Sequence, residues 1–173
     1  MSQQSQANAD LGTAIRQDHE LVQELFSKCE SGGEAGREAF DTLVRVLAVH
    51  ETAEEEVLYP TVRSQGGDAN EIVRARLAEE DEAKTQLSEL EKMGPDAPEF
   101  KEKFRQFKMA VLEHAQHEEQ EVLPLLASGQ EQKMLQQLGS AFMAASTAAA
   151  VPASGGTGVT NTRVPSAGGS DPS

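Results

Sequence analysis

The stretch His50-Glu51-Thr52-Ala53-Glu54-Glu55-Glu56-Val57-Leu58-Tyr59-Pro60 has a counterpart at His114-Ala115-Gln116-His117-Glu118-Glu119-Gln120-Glu121-Val122-Leu123-Pro124. In both, a Glu follows the leading His by four residues and a Pro follows it by ten. Residues four apart lie on one face of an α-helix, about one turn from each other. Each copy therefore offers an imidazole nitrogen and a carboxylate side by side. Two such copies facing each other across a bundle can hold a pair of metal ions.

The flanking sequence supplies the helices. Asp10 is placed to cap a helix running to about Lys28, with Leu11, Ile15, Val22, Leu25 and Phe26 as its apolar stripe. Ser31-Gly32-Gly33 breaks it. A second helix is expected from about Glu34 to Tyr59 or slightly beyond, with Phe40, Leu43, Val44, Leu47 and Val57 inward. Gln65-Gly66-Gly67-Asp68 closes it, and Asp68 is the expected cap of a third helix. That helix reaches Met93 along Val73, Leu77, Ala83, Leu87 and Leu90, and Gly94-Pro95-Asp96-Ala97-Pro98 stops it. A fourth runs from about Glu99 to Leu126 with Phe100, Phe104, Phe107, Val111 and Val122 inward. No segment shows strand alternation. Four amphipathic helices joined by short Gly/Pro turns read as an all-α protein, an antiparallel up-down-up-down four-helix bundle over residues 10–128. Residues 129–173 read as a short helix to about Met143 and then a disordered tail rich in Ala, Ser, Gly and Pro.

At 173 residues one domain with a tail is expected. A formal net charge of −14 argues against nucleic acid and against anionic membranes, since both need basic patches. The single cysteine, Cys29, excludes an intrachain disulfide, and beside Lys28 it reads as a small residue near a helix end rather than a redox switch. No run approaches the roughly 18 apolar residues of a membrane span. The polar opening MSQQSQANAD has no signal-peptide core, so a cytoplasmic location is expected. Nothing points to a catalytic nucleophile or a phosphate-binding loop, and the oligomeric state is left open.

The polar residues on the inner stripes carry the chemistry. His19 lies four after Ile15 and three before Val22; His50 lies three after Leu47; His114 lies three after Val111. Buried imidazoles are unfavourable without partners, and buried carboxylates more so. A plain structural bundle would be destabilised by so many in one layer, whereas a pair of metal ions binds them all. His117 and Glu121 repeat the spacing, but Ala110, Glu113 and Gln120 surround His117 on the helix, so it reads as a residue of the rim or one that backs the ligands from outside. The third helix offers Glu79-Glu80-Asp81-Glu82. Glu80 falls on the stripe of Val73, Leu77, Ala83 and Leu87, Asp81 faces solvent, and Glu79 is intermediate. The candidate ligands are His19, His50, Glu54, Glu80, His114 and Glu118.

Three segments resemble the hemerythrin-like family, also called the HHE cation-binding domain. They are Asp18-His19 followed by Leu25-Phe26, His50-Glu51-x-x-Glu54-Glu55 leading to Leu58-Tyr59-Pro60, and His114-x-x-x-Glu118-Glu119 leading to Leu123-Pro124. The resemblance covers about residues 10 to 127 and implies an antiparallel four-helix bundle around a non-haem centre of two iron ions joined by an oxo or hydroxo bridge. The family's ligand pattern falls on His19, His50, Glu54, His114 and Glu118, with Glu54 and Glu118 bridging and the imidazoles terminal. Glu51 resembles an extra ligand of some members. Manganese or zinc suits the same donors and ranks behind iron. The departure is the third helix, where the family usually supplies His and this chain has Glu80. A further hard anionic ligand favours ferric iron, which disfavours clean reversible oxygen carriage.

The function implied is binding or sensing of O2, peroxide or nitric oxide. The alternatives are a di-iron enzyme with catalase/peroxidase-like or ferroxidase activity, and an iron-binding module with a degenerate site. Tyr59 stands near the metal layer, where it offers a hydrogen bond or a radical-forming phenol, or simply packs ahead of Pro60.

Overall fold

A computed structural model describes residues 9–151, which are helix and turn with no strand among them. The helices are α1 (Leu11–Glu30), α2 (Gly33–Ala53), α3 (Tyr59–Arg63), α4 (Ala69–Met93), α5 (Phe100–His117), α6 (Leu123–Gly129) and α7 (Gln132–Ala150). A π-helical turn, π1 (Glu54–Leu58), joins α2 to α3, and a second, π2 (Glu118–Val122), joins α5 to α6. The described residues thus form five helical rods: α1, α2-π1-α3, α4, α5-π2-α6 and α7.

Local chemistry sets the ends. Asp10 caps α1 by accepting the Thr13 N–H at 2.8 Å. Gly94, at φ +76°, stops α4 and returns its N–H to the Leu90 carbonyl at 3.0 Å. Asp68 does not act as the expected side-chain cap of α4. Its own backbone is already helical, and the amides of Ala69 and Asn70 donate to the Gly66 and Gly67 carbonyls instead.

The second and fourth rods are not the uninterrupted α-helices that the spacing predicts. The Tyr59 N–H donates to the Glu54 carbonyl and the Leu123 N–H to the Glu118 carbonyl, five residues back rather than four. The next residue in each rod is Pro60 or Pro124. Proline has no N–H to give, and in a tight turn its ring presses on the carbonyl four residues earlier. A turn widened to π spacing accommodates both effects, and such turns occur frequently at functional sites.

Two apolar clusters hold the rods together. One joins Leu11 and Ile15, Leu58 and Val62, Val73, and Val122 and Leu126, closed by Leu135 and Phe142 of α7. The other joins Val22 and Phe26, Leu43 and Leu47, Ala83 and Leu90, and Phe104 and Val111. Burying each such large side chain contributes about 1.5–3 kcal/mol. Along each of the first four rods the stretch between clusters is polar yet buried: Asp18 and His19, His50 and Glu54, Arg76 and Glu80, His114 and Glu118.

α7 rests on α1 and α2 and continues to Ala150, past Met143 where composition places its end. Gly139 allows the close approach, since a Cβ there would overlap the carbonyl oxygens of Ala9 and Asp10. Residues 144–150 are therefore helical; residues 152–173 of the expected disordered tail and the first eight residues lie outside the described residues. No described helix is long and apolar enough to cross a membrane.

Candidate metal centre

Side chains from four rods converge in the polar layer. Among the described residues they form two groups, His19, His50, Glu54 and Glu118, and Glu54, Glu80 and His114. Within each group one nitrogen or oxygen of every member lies within 4.8 Å of the others. All six residues expected from the sequence are thus brought together, with Glu54 common to both groups. Glu54 and Glu118 are 0% exposed and Glu80 is 2% exposed.

The inward-facing atoms lack hydrogen-bond partners. They are His19 Nε2, His114 Nε2, both carboxylate oxygens of Glu54 and of Glu118, and Glu80 Oε2. His50 Nε2 stands 2.6 Å from Glu54 Oε1, and His19 Nε2 stands 3.3 Å from Glu118 Oε2. Buried polar atoms nearly always find partners, and burying a carboxylate alone costs several kcal/mol. Cations between these atoms remove that cost. Imidazole nitrogens mixed with carboxylate oxygens suit iron, manganese or zinc, so the residues present fit a metal pair.

The outer nitrogens of the same rings are held by carboxylates. His50 Nδ1 lies 3.0 Å from Asp18 Oδ2, His19 Nδ1 lies 2.8 Å from Glu119 Oε1, and His114 Nδ1 lies 3.0 Å from Glu79 Oε2. A ring donating its Nδ1–H outward keeps its Nε2 lone pair directed at the centre, as metal-ligating histidines do. The pattern is stitched across rods. Asp18 precedes His19 in the chain but holds His50; Glu119 follows Glu118 but holds His19; Glu79 precedes Glu80 but holds His114.

Beyond these, buried Arg76 donates to Glu79 at 2.8 Å and to Glu121 at 2.7 Å. His117 Nδ1 lies 2.9 Å from Glu79 Oε1, half-buried and outside both metal groups, on the rim as its helix neighbours predict. Tyr59 donates to Glu80 Oε1 at 2.5 Å. Lys84 contacts Glu55 and lies 3.6 Å from Glu51 and 3.7 Å from Glu80. Glu51 belongs to neither metal group. From α7, Ser146 donates to Asp18 Oδ1, and the Phe142 ring stands edge-on to His50. The sequence by itself assigns no role to Asp18, Glu79, Glu119, Arg76 or Ser146. The first three sit next to ligands in the chain, which was the available signal; Ser146 lies on a rod without a motif and had none.

The electrostatics follow from burial and crowding. Burial, then the nearby Glu54 charge, pushes Glu118 up to about 7 and Glu80 up to about 8. Burial also opposes ionisation of Glu54, but the His50 charge and the close imidazoles of His114 and His50 outweigh it and hold Glu54 well below the usual range. Burial works against charge on His114 too, yet Glu54 and Glu118 raise it to about 9. Burial and the three carboxylates push the Tyr59 phenol far above its ordinary value, so it remains a donor. Away from the centre, burial pushes Cys29 up to about 11, which leaves no reactive thiolate.

A cavity of about 20 Å³ opens beside the layer, between His19, His50, His114 and Glu80 on one side and Val22, Leu47, Ala83 and Val111 on the other. About 10–15 Å³ on this measure admits one water molecule, so the space suits a water-sized or diatomic ligand and nothing bulky.

Three comparisons place this centre among known proteins. A protein from Nostoc sp. named as a DNA nickase is 32% identical over 133 residues, which is 76% of this chain but 37% of that protein. The chain therefore spans little over a third of that relative's length. The crystal structure of a hemerythrin HHE cation-binding domain-containing protein from Mycobacterium kansasii matches with a TM-score of 0.71 at 20% identity, covering 82% of this chain and 88% of that one. At that identity the likeness is one of fold. The profile of the hemerythrin HHE cation-binding domain matches residues 10–126, which include all six converging side chains. The chain belongs to the hemerythrin HHE cation-binding domain family.

Proposed function

We propose that this domain holds two metal ions, iron ahead of manganese or zinc, and binds or senses O2, peroxide or nitric oxide in the adjoining cavity. The observation that carries the reading is the set of buried inward atoms without partners on His19, Glu54, Glu80, His114 and Glu118. His19, His50, Glu54 and Glu118 would hold one ion, and Glu54, Glu80 and His114 the other. Bound iron supplies a redox pair suited to binding or reducing a small oxidant. The chain's own residues do the rest. Asp18, Glu119 and Glu79 orient the imidazoles, and Val22, Leu47, Ala83 and Val111 exclude bulk water. Tyr59 keeps a proton at Glu80 Oε1, and Lys84 keeps a positive charge 3.7 Å from Oε2 of the same carboxylate.

Each apolar cluster gathers alternating starts and ends of the first four rods, which supports an up-down-up-down order for the bundle. The charge of −14 supports a small ligand rather than nucleic acid or membrane, so the nickase name of the far longer Nostoc relative is not carried over. A lone cysteine fits a cytoplasmic setting. A ligand set of O2 and peroxide fits a part in oxidative stress.

The test is anaerobic loading with Fe(II), an iron count per chain, and ultraviolet–visible spectra with O2, peroxide, nitric oxide and azide. Two irons and a ligand-dependent spectrum that reverses on removal of the ligand are expected. Turnover of peroxide with release of O2, or catalytic oxidation of added Fe(II), would move the reading to the enzymatic alternative. Retention of no iron would sink both.

A further inference from the structure

α7 offers no metal ligand, and its second half is mostly Ala, Ser and Thr. Its large fully buried side chains are Leu135 and Phe142. Leu138 and Met143 pack against the same apolar cluster, and two residues of α7 reach the metal centre. Ser146 donates to Asp18 Oδ1, while Asp18 Oδ2 accepts from His50 Nδ1 at 3.0 Å. Phe142 packs edge-on against the His50 ring, with centroids 5.7 Å apart and planes at 76°. Ser146, Asp18 and His50 are 5%, 4% and 4% exposed, so these bonds are made among buried side chains.

We propose that Ser146 and Phe142 are positioning residues for His50, and that docking of α7 and metal occupancy are linked equilibria. The inference rests on the metal-binding reading above. A carboxylate with one bond to an imidazole can swing about its Cβ–Cγ axis and carry the ring with it. The Ser146 bond fixes the second oxygen, which fixes the plane in which Asp18 meets His50. Phe142 closes one side of the ring and limits its rotation. Nε2 is then held toward Glu54 and the centre. In the other direction, a cation that anchors His50 fixes Asp18 and leaves Oδ1 directed at Ser146. It also screens the mutual repulsion of Glu54, Glu118 and Glu80. Such coupling is reciprocal: what α7 adds to metal affinity, metal adds to α7 docking.

Two further polar contacts lie on α7, and the second serves as the control. Gln132 meets Asp10 at 3.3 Å near its start, and Arg45 Nε donates to the Ala149 carbonyl at 3.2 Å near its end. Neither touches the centre. A groove between α1 and α7, lined by Gln17, Leu21, Met143 and Thr147, opens beside Ser146 and leaves room for one added methyl group.

The experiment uses the full chain and Zn(II), which suits the same donors and has no redox chemistry. Zinc stoichiometry and affinity are measured by competition with a chelator, and hydrogen exchange of the α7 amides is followed with and without zinc. Zinc is expected to slow exchange across the second half of α7. Ser146→Ala should weaken zinc binding by about threefold to tenfold, below the roughly tenfold or more expected for losing Asp18, the histidine's own partner. It should also abolish the slowing. Ser146→Thr, which keeps the hydroxyl, should restore both. Arg45→Ala should leave the affinity within about twofold on the same scale. Full zinc affinity in Ser146→Ala, equal losses in Arg45→Ala and Ser146→Ala, or α7 exchange indifferent to zinc each overturns the inference. Two bound metals with an indifferent α7 removes this inference alone; no bound zinc or iron in the wild-type chain removes the metal reading with it.

Discussion

Glu54 contributes a carboxylate to both metal groups, whereas Glu80 and His114 contribute to one and His117 to neither. This asymmetry makes metal counting informative. Glu54→Ala is expected to lower bound metal from about two ions per chain to none, because each ion loses a charged donor. Glu80→Ala should leave about one on the same argument, and His117→Ala should leave both. Elemental analysis of each protein after loading and desalting checks the series; two ions retained in Glu54→Ala would remove it as the shared ligand. The same residues burden the metal-free protein. Burial and the Glu54 charge hold Glu118 up to about 7, which marks a carboxyl in a place hostile to charge. Replacing buried charge with an apolar side chain of similar size is often stabilising, by about 1–4 kcal/mol. Glu118→Leu is therefore expected to raise the Tm of the metal-free protein, at roughly 2–4 °C per kcal/mol for a chain of this size, while losing metal. Thermal unfolding in excess chelator checks it, and a lowered Tm would contradict the account of the layer as strained without its cations.

At the scale of elements, the inner stripes of four helices were legible because side chains repeat at helical spacing. His19, His50 and His114 were placed inward by their apolar neighbours, and Glu80 by Val73, Leu77, Ala83 and Leu87. The carboxylates behind the histidines were not, because each bonds to a ring on a different rod, and helical spacing carries no information between rods. The π turns were half legible. Pro60 and Pro124 mark them, but a proline also fits a helix end, and only the continuing α3 and α6 show that the chain widens its turn. α7 was foreshortened for a different reason. Beside Leu135 and Phe142 its hold includes a glycine at a close approach and a serine on a buried carboxylate, and those two do not register as apolar periodicity. Gly139→Ala tests that account. The added Cβ meets backbone of Ala9 and Asp10, which cannot rotate away, so α7 must shift. Overpacking of this kind costs about 1–3 kcal/mol. Denaturant unfolding should show a lowered midpoint with an unchanged slope; an unchanged midpoint would mean that α7 docks less closely than described.

For the whole molecule, the layer couples folding, protons and metal. Glu118 is raised to about 7, Glu80 to about 8 and His114 to about 9, from ordinary values of 4.5, 4.5 and 6.5. Each group binds its proton more tightly folded than unfolded. The stability each contributes is therefore fully present below its unfolded value and is lost as pH rises through its folded value. For the two carboxyls the loss runs from 4.5 to about 7 and about 8; for His114 it runs from 6.5 to about 9. Glu54 works oppositely. It is held well below 4.5, so its contribution is present above that value and disappears only in acid, outside this window. The metal-free protein is thus expected to lose stability steadily between about pH 5 and 9. Metal competes with the same protons, since its ligands must be deprotonated, so its affinity rises over the same range. The increase in Tm on metal addition should then widen with pH, as the free form weakens while the bound form tightens. Melting curves at several pH values, with chelator and with saturating Zn(II), measure both trends. A metal-free Tm that climbs between pH 5 and 9, or a metal-induced increase that shrinks, would show that protons and cations do not compete for these buried side chains.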